Sequence, residues 1–218
     1  MVAAQLPLLV GMAEAKEAVE PAPPPNNIVG LNLARLHQSR FIWAASEIVN
    51  ANGGAWGYVT ILLTNQDRSA SSPEHLLQQV LDRCYEAKLQ PIVRVCTRFD
   101  ERTGVWERPT DDDPALWREL FERVIWPVRT VWVVPANEPN LGREWGGEVD
   151  VPSYARYLER FIHIFGDSAR FKVVNGPLNL SNPHNPPEMQ DAFDFLAEHM
   201  ALTPAVFERL PGWASNSY

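Results

Sequence analysis

Cysteine is nearly absent: Cys84 and Cys96 are the only two in 218 residues, so neither a disulfide framework nor a cysteine-built zinc site is available. Histidine is sparse as well, with five residues and no His-Glu-x-x-His or His-x-His spacing, and no metal site is expected. Basic charge falls short. Nineteen Lys and Arg stand against 27 Asp and Glu, and a formal charge of -8 repels phosphate backbones and anionic lipid surfaces, which argues against a nucleic-acid partner. No apolar run is long enough to span a bilayer.

What is present is ordinary globular composition, 45% hydrophobic and 21% charged, at a length that suits one domain with a sizeable core. Eight Trp is a high number for this length; Trp packs cores, and its flat face also stacks on sugar rings, so each must be placed separately. The first 27 residues read apart from the rest. An apolar stretch over 3–12 followed by Ala13-Glu14-Ala15 looks like the end of a secretory signal but lacks a basic n-region, and Pro21 and Pro23-Pro24-Pro25 make a stiff linker. An extracellular or cell-surface protein is expected if that stretch is a signal remnant, and a cytoplasmic one if it is not.

From residue 28 onward, short β-type runs alternate with amphipathic helical stretches, the pattern of parallel βαβ units. Strands are expected at about 28–36, 58–64, 91–97, 131–134, 171–177 and 210–218, and helices at about 41–52, 72–84, 113–125, 152–165 and 187–200. The second helix opens on Ser72-Pro73 and the third on Asp113-Pro114, both good helix starts. Asp111-Asp112-Asp113 satisfy a helix N-terminus better than they make a cation site. The fold class is therefore α/β, a TIM-type (β/α)8 barrel, incomplete, with about six parallel strands and five helices.

The fourth strand carries the most informative residues. Val131-Trp132-Val133-Val134 is too apolar for a half-exposed strand and runs straight into Pro135-Ala136-Asn137-Glu138-Pro139-Asn140, which sets an amide and a carboxylate side by side at a strand end. In a parallel barrel that end is where active-site groups sit. The segment 132–147 resembles the fourth strand and following loop of the clan of retaining glycoside hydrolases built on (β/α)8 barrels, the cellulase-like and β-glycosidase-like superfamily. The resemblance implies that Glu138 is the general acid/base and that Asn137 bonds the sugar 2-hydroxyl. Residues 213–218 resemble the sixth strand of that clan, with Asn216 in place of a His and Tyr218 matching a Tyr.

In the clan the nucleophile is a Glu on strand seven, and the sequence has no such strand. The resemblance thus implies a retaining hydrolase of O-glycosidic bonds in a poly- or oligosaccharide, without metal or organic cofactor, but one that is truncated and catalytically incompetent alone. Two alternatives stay open: a noncatalytic carbohydrate-binding or scaffold barrel, and a partial barrel completed by oligomerisation through its open sheet edge.

Further candidates follow from position. Arg94, within Ile92-Val93-Arg94-Val95-Cys96, is too costly to bury unpaired and is expected to meet a carboxylate, either as a structural ion pair or at the site. Arg94 and Cys96 share a strand face, which turns Cys96 away from the helix of Cys84 and argues against a disulfide. Trp145 and Trp106, in loops after strands four and three, are candidate sugar platforms or else loop anchors. Trp117 and Trp126 are expected in the core. Gly142, Gly146 and Gly147 suit a loop that a ligand approaches closely. Asn175, Asn179 and Asn182 are either turn formers or hydroxyl ligands.

Overall fold

The computed structural model describes residues 27–33 and 36–216. The expected signal remnant and linker, and Tyr218, lie outside them. Five parallel strands form one sheet in the order β1 (Gly30–Leu33), β2 (Gly57–Thr64), β3 (Leu89–Cys96), β6 (Val131–Val134), β7 (Phe171–Val173), each paired with the next along the chain. Between β3 and β6 a small hairpin, β4 (Phe99–Asp100) and β5 (Val105–Trp106), rises from the loop after β3, where no strand is expected from the sequence. Pattern reading missed it because two-residue strands carry no periodicity.

Helices cover one face of the sheet: α1 (Ile42–Val49), the short α2 (Asn65–Arg68), α3 (Pro73–Glu86), α4 (Asp113–Glu122), α5 (Val151–Phe165), α6 (Ala192–Leu202) and α7 (Pro204–Arg209). The chain is an α/β protein with the architecture of a partial (β/α)8 barrel. Strand alternation divides its two faces. Val59, Ile61, Leu63, Val93, Val95, Val131 and Val133 point to the helices and are at most 1% exposed. Their alternates Tyr58, Thr60, Ile92, Arg94, Trp132 and Val134 line a lumen of about 500 Å³ on the other face.

The helical layer is held by aromatic packing. On α5, Tyr154, Tyr157, Leu158, Phe161, Ile162 and Phe165 recur at helical spacing and are all buried. Phe161 stacks on Phe165 at 5.4 Å, and Phe121 of α4 meets Trp117, Trp126, Phe165 and Phe171 at 5.3–6.0 Å. Trp117 and Trp126 are core residues, as expected. Asp113 pairs with Arg68 at 2.6 Å, and its other oxygen accepts from the Thr110 backbone N–H at 2.8 Å. The acidic run thus serves the start of α4, with one member also making a buried ion pair, and among the described residues no group of three potential metal ligands occurs.

The sixth strand is a correction. Residues 210–216 form no ladder; they lie beside β7 because the Asn175 side chain imitates a strand edge, donating to Ala214 O at 2.8 Å and accepting from Ala214 N–H at 2.7 Å. One parallel bridge, Asn179 to Asn216, follows. Pro211 and Gly212 within this stretch disfavour continuous pairing. The fifth expected helix also starts late, at Ala192, where Asp191 caps it by accepting from Phe193 and Asp194 N–H. Cys84 and Cys96 are both free, and burial pushes the Cys84 thiol up to about 12.

Candidate active site

Glu138 lies one turn beyond the end of β6. Its backbone has φ of +39°, a left-handed conformation uncommon for a side chain of this size, and it is held from both directions. Its N–H donates to Pro177 O at 2.8 Å, and its carbonyl accepts from Leu141 N–H at 2.8 Å. The side chain is buried, with only 4% of the residue exposed. Asn216, from the segment beside β7, donates to Glu138 Oε1 at 2.9 Å.

Asn137 is fixed from three sides. Arg94 Nη1 donates to its Oδ1 at 2.9 Å, Asn216 Nδ2 reaches the same oxygen at 3.4 Å, and Asn137 Nδ2 donates to Glu144 Oε2 at 3.2 Å. Four of the residues singled out in the sequence, Arg94, Asn137, Glu138 and Asn216, therefore meet at one place. Arg94 faces the lumen as strand alternation requires, but its hydrogen-bonding partner there is the Asn137 amide; the nearby Glu144 acts on it only through charge. The amide is a weaker partner than the expected carboxylate, and it leaves the guanidinium free to hold Asn137 in one rotamer.

Trp145 is a correction. It is 1% exposed, with its ring edge-on to Tyr154 and Tyr157 at 5.5 and 5.6 Å, so neither face is open to a sugar. It anchors the loop to α5. Trp106 is half-buried beside Phe99, at 5.2 Å; it does not line the lumen, but it lines a small pocket together with Asn137 and Glu144. Trp213, in the segment expected as strand six, borders the lumen with Trp132 and Tyr58 and is 49% exposed. Its place follows from the failure of the sixth strand to pair regularly.

The glycines after β6 serve the loop itself. A Cβ on Gly142 would stand 2.9 Å from both Glu188 O and Gly147 O, so the residue is small because backbone crowds it. Asn140, buried completely, ties this loop to the next: its Nδ2 donates to Asn179 O and Gln190 O, and its Oδ1 accepts from Asn179 N–H. Asn179 makes a local turn with Ser181, and Asn182 donates to Asn140 O. These asparagines build the rim of the site, and Asn140 went unnoticed because nothing marks it off from any loop Asn.

Glu144 was also missed. Its carboxyl is raised above the usual carboxylate range, first by burial, with the Asn137 hydrogen bond opposing and the Glu138 charge adding to the rise. A carboxyl with a raised folded-state value contributes stability that is complete below the unfolded pKa, 4.5, and is lost as pH rises through the folded value. Glu144→Gln removes that penalty and keeps an acceptor for Asn137. The variant is expected to melt higher than the parent chain at pH 7 to 8 and no higher at pH 4, and thermal unfolding at the two pH values checks it.

No family model and no curated protein sequence matches the chain. Solved structures do, 57 chains in all. A β-mannanase from Streptomyces thermolilacinus superposes with a TM-score of 0.51 at 17% identity, covering 87% of this chain and 58% of the mannanase. The catalytic domain of a mannanase from Streptomyces sp. SirexAA-E gives 0.48 at 14%, covering 87% and 55%. The chain thus spans under two thirds of the length of either. At such identity the likeness is one of fold alone, and the fold is that of a partial (β/α)8 barrel.

Proposed function

We propose that the protein belongs to the retaining glycoside hydrolases, cleaving O-glycosidic bonds of a poly- or oligosaccharide with Glu138 as acid/base. The observation that carries the reading is the setting of Glu138: a buried carboxyl on a left-handed turn past β6, bonded by Asn216 and beside an Asn137 held by Arg94 and Glu144. A group held in a sparsely populated conformation by two backbone hydrogen bonds is preorganised, as acid catalysis at a fixed oxygen requires.

In this reading Glu138 protonates the leaving glycosidic oxygen while a second carboxylate, about 5 Å away on a seventh strand, attacks the anomeric carbon and forms a glycosyl ester. The Glu138 carboxylate then takes a proton from water as the water oxygen attacks that carbon and releases the nucleophile. Asn137 bonds the 2-hydroxyl, and the amide it presents has its orientation set by Arg94 on one side and Glu144 on the other. Trp213, stacked near Phe207 and facing the cleft, offers an apolar surface to a sugar ring.

Proton NMR of the first product released from β-mannan and other β-linked polysaccharides, by a form of the protein carrying all eight strands, tests the reading. Retention of anomeric configuration is expected. Inversion, or no reducing sugar from any substrate, overturns it.

A further inference from the structure

β7 stops at Val173, and the chain just beyond it has little main chain left to offer a neighbour. Gly176 N–H donates to the Tyr154 hydroxyl at 2.8 Å, Pro177 has no N–H and its carbonyl accepts from Glu138 N–H at 2.8 Å, and both main-chain groups of Asn179 bond the Asn140 side chain. The Asn175 side chain therefore does the pairing. Only 2% exposed, it accepts from Ala214 N–H at 2.7 Å and donates to Ala214 O at 2.8 Å, with a second donation to Gly176 O at 2.9 Å. A buried amide with three hydrogen bonds is held in one rotamer.

These contacts reach Glu138 by two routes. The first is direct: a Cβ on Gly176 would stand 3.0 Å from the Ala136 Cβ, so Asn175-Gly176-Pro177 lies against the turn of Glu138, and the Pro177 carbonyl holds the Glu138 main chain. The second runs from Asn175 to Ala214 and two residues on to Asn216, whose Nδ2 donates to Glu138 Oε1 at 2.9 Å and reaches Asn137 Oδ1 at 3.4 Å. A slip of one residue in this segment would present Ser215 in place of Asn216. Because an amide donating to Oε1 marks that oxygen as an acceptor, the acid proton belongs on Oε2.

We propose that Asn175 is a positioning residue for the acid/base, holding segment 211–216 in the register that sets the Asn216 amide on Glu138 and fixes which carboxyl oxygen carries the proton. Its part in the reaction rests on the glycosidase reading; its hold on Asn216 does not. Asn175 does not line the lumen and acts only through Asn216. Ala214, the residue it grips, does line the lumen, so the buried amide sets the place of a whole stretch of that wall, from Gly212 to Asn216.

Two measurements test it. In NMR spectra of the isotope-labelled 218-residue chain, the side-chain amide of Asn216, identified by its absence from Asn216→Ala, is expected to move to the position of a solvent-exposed amide in Asn175→Ala. Ala214→Pro, which deletes the N–H that Asn175 accepts and leaves Asn175 itself in place, is expected to do the same. In a form of the protein carrying all eight strands, Asn175→Ala is expected to lower kcat for substrates with poor leaving groups roughly tenfold, the scale for a lost hydrogen bond to a charged group, with KM changed by less than about twofold. In an Asn216→Ala background the same substitution is expected to cost nothing further, a non-additivity that a purely structural role does not produce. An Asn216 amide that stays in place in both variants, or a kcat loss that repeats in full in the Asn216→Ala background, overturns the proposal. A displaced Asn216 amide in a protein whose eight-stranded form hydrolyses no β-linked polysaccharide would instead remove the glycosidase reading and leave the hold of Asn175 on Asn216 standing.

Discussion

Glu138→Gln is expected to slow hydrolysis of substrates with poor leaving groups by roughly a hundredfold or more, the scale of general acid catalysis, in a form of the protein carrying all eight strands. The substitution keeps the side-chain volume and one oxygen to accept from Asn216, so the turn at φ +39° and its two backbone hydrogen bonds have no reason to change. What is lost is the exchangeable proton. Substrates with good leaving groups need little protonation and should lose much less in the first step, and azide, a nucleophile that requires no general base, should restore their turnover. Equal losses for both leaving-group classes without azide rescue would move Glu138 from chemistry to structure. A noncatalytic sugar-binding barrel would then be the better reading.

The convergence of Arg94, Asn137 and Glu138 was legible because strand alternation and parallel order are long-range rules written in short sequence. Once 92–96 and 131–134 are adjacent parallel strands, the face of Arg94 and the strand end of Asn137 follow. The partner of Arg94 did not follow. A charge on a strand implies that something must meet it, but whether that is a carboxylate or the oxygen of an amide depends on a loop returning to the barrel mouth, and loop paths leave no periodic trace. Glu144 is seven residues from Asn137, in a turn whose shape is set by Gly142 packing against Glu188, so its closeness to the site is tertiary information.

Trp145 and Trp213 show the same limit from opposite sides. Their positions, one in a mouth-side loop and one in an apparent strand, offered the first as a sugar platform or loop anchor and gave the second no role at the site. Packing reversed both. Trp145 found Tyr154 and Tyr157 on α5, two rings that helical spacing had already placed on its inner face, whereas Trp213 sits on a segment attached to β7 through the Asn175 side chain and therefore keeps a face toward the lumen. An aromatic residue in a loop becomes an anchor when a complementary aromatic face lies beneath it. The sequence of the loop alone does not contain that face.

Phe121→Ala is expected to cost about 3–5 kcal/mol of folding stability, the range for deleting a fully buried Phe side chain. The ring is 0% exposed and touches four aromatic neighbours that belong to different parts of the fold: Trp117 on its own helix, Trp126 in the following loop, Phe165 at the end of α5 and Phe171 at the start of β7. Two of these rings pack edge-on and two tilted against Phe121, and none can slide inward to fill the space without leaving its own contacts, so little of the cavity can collapse. Because Phe121 links α4 to α5 and β7, its loss should loosen the fourth and fifth units together, including the anchorage of β7, of Asn175 just beyond its end and, through Asn175, of the segment of Asn216. At about 2–4 °C per kcal/mol for a domain of this size, the melting temperature should fall by roughly 6–20 °C. Phe121→Leu, which keeps most of the apolar volume, should recover more than half of that loss. A drop of less than about 1 kcal/mol in denaturant unfolding for the alanine variant would mean that the aromatic cluster is not the tie between these units.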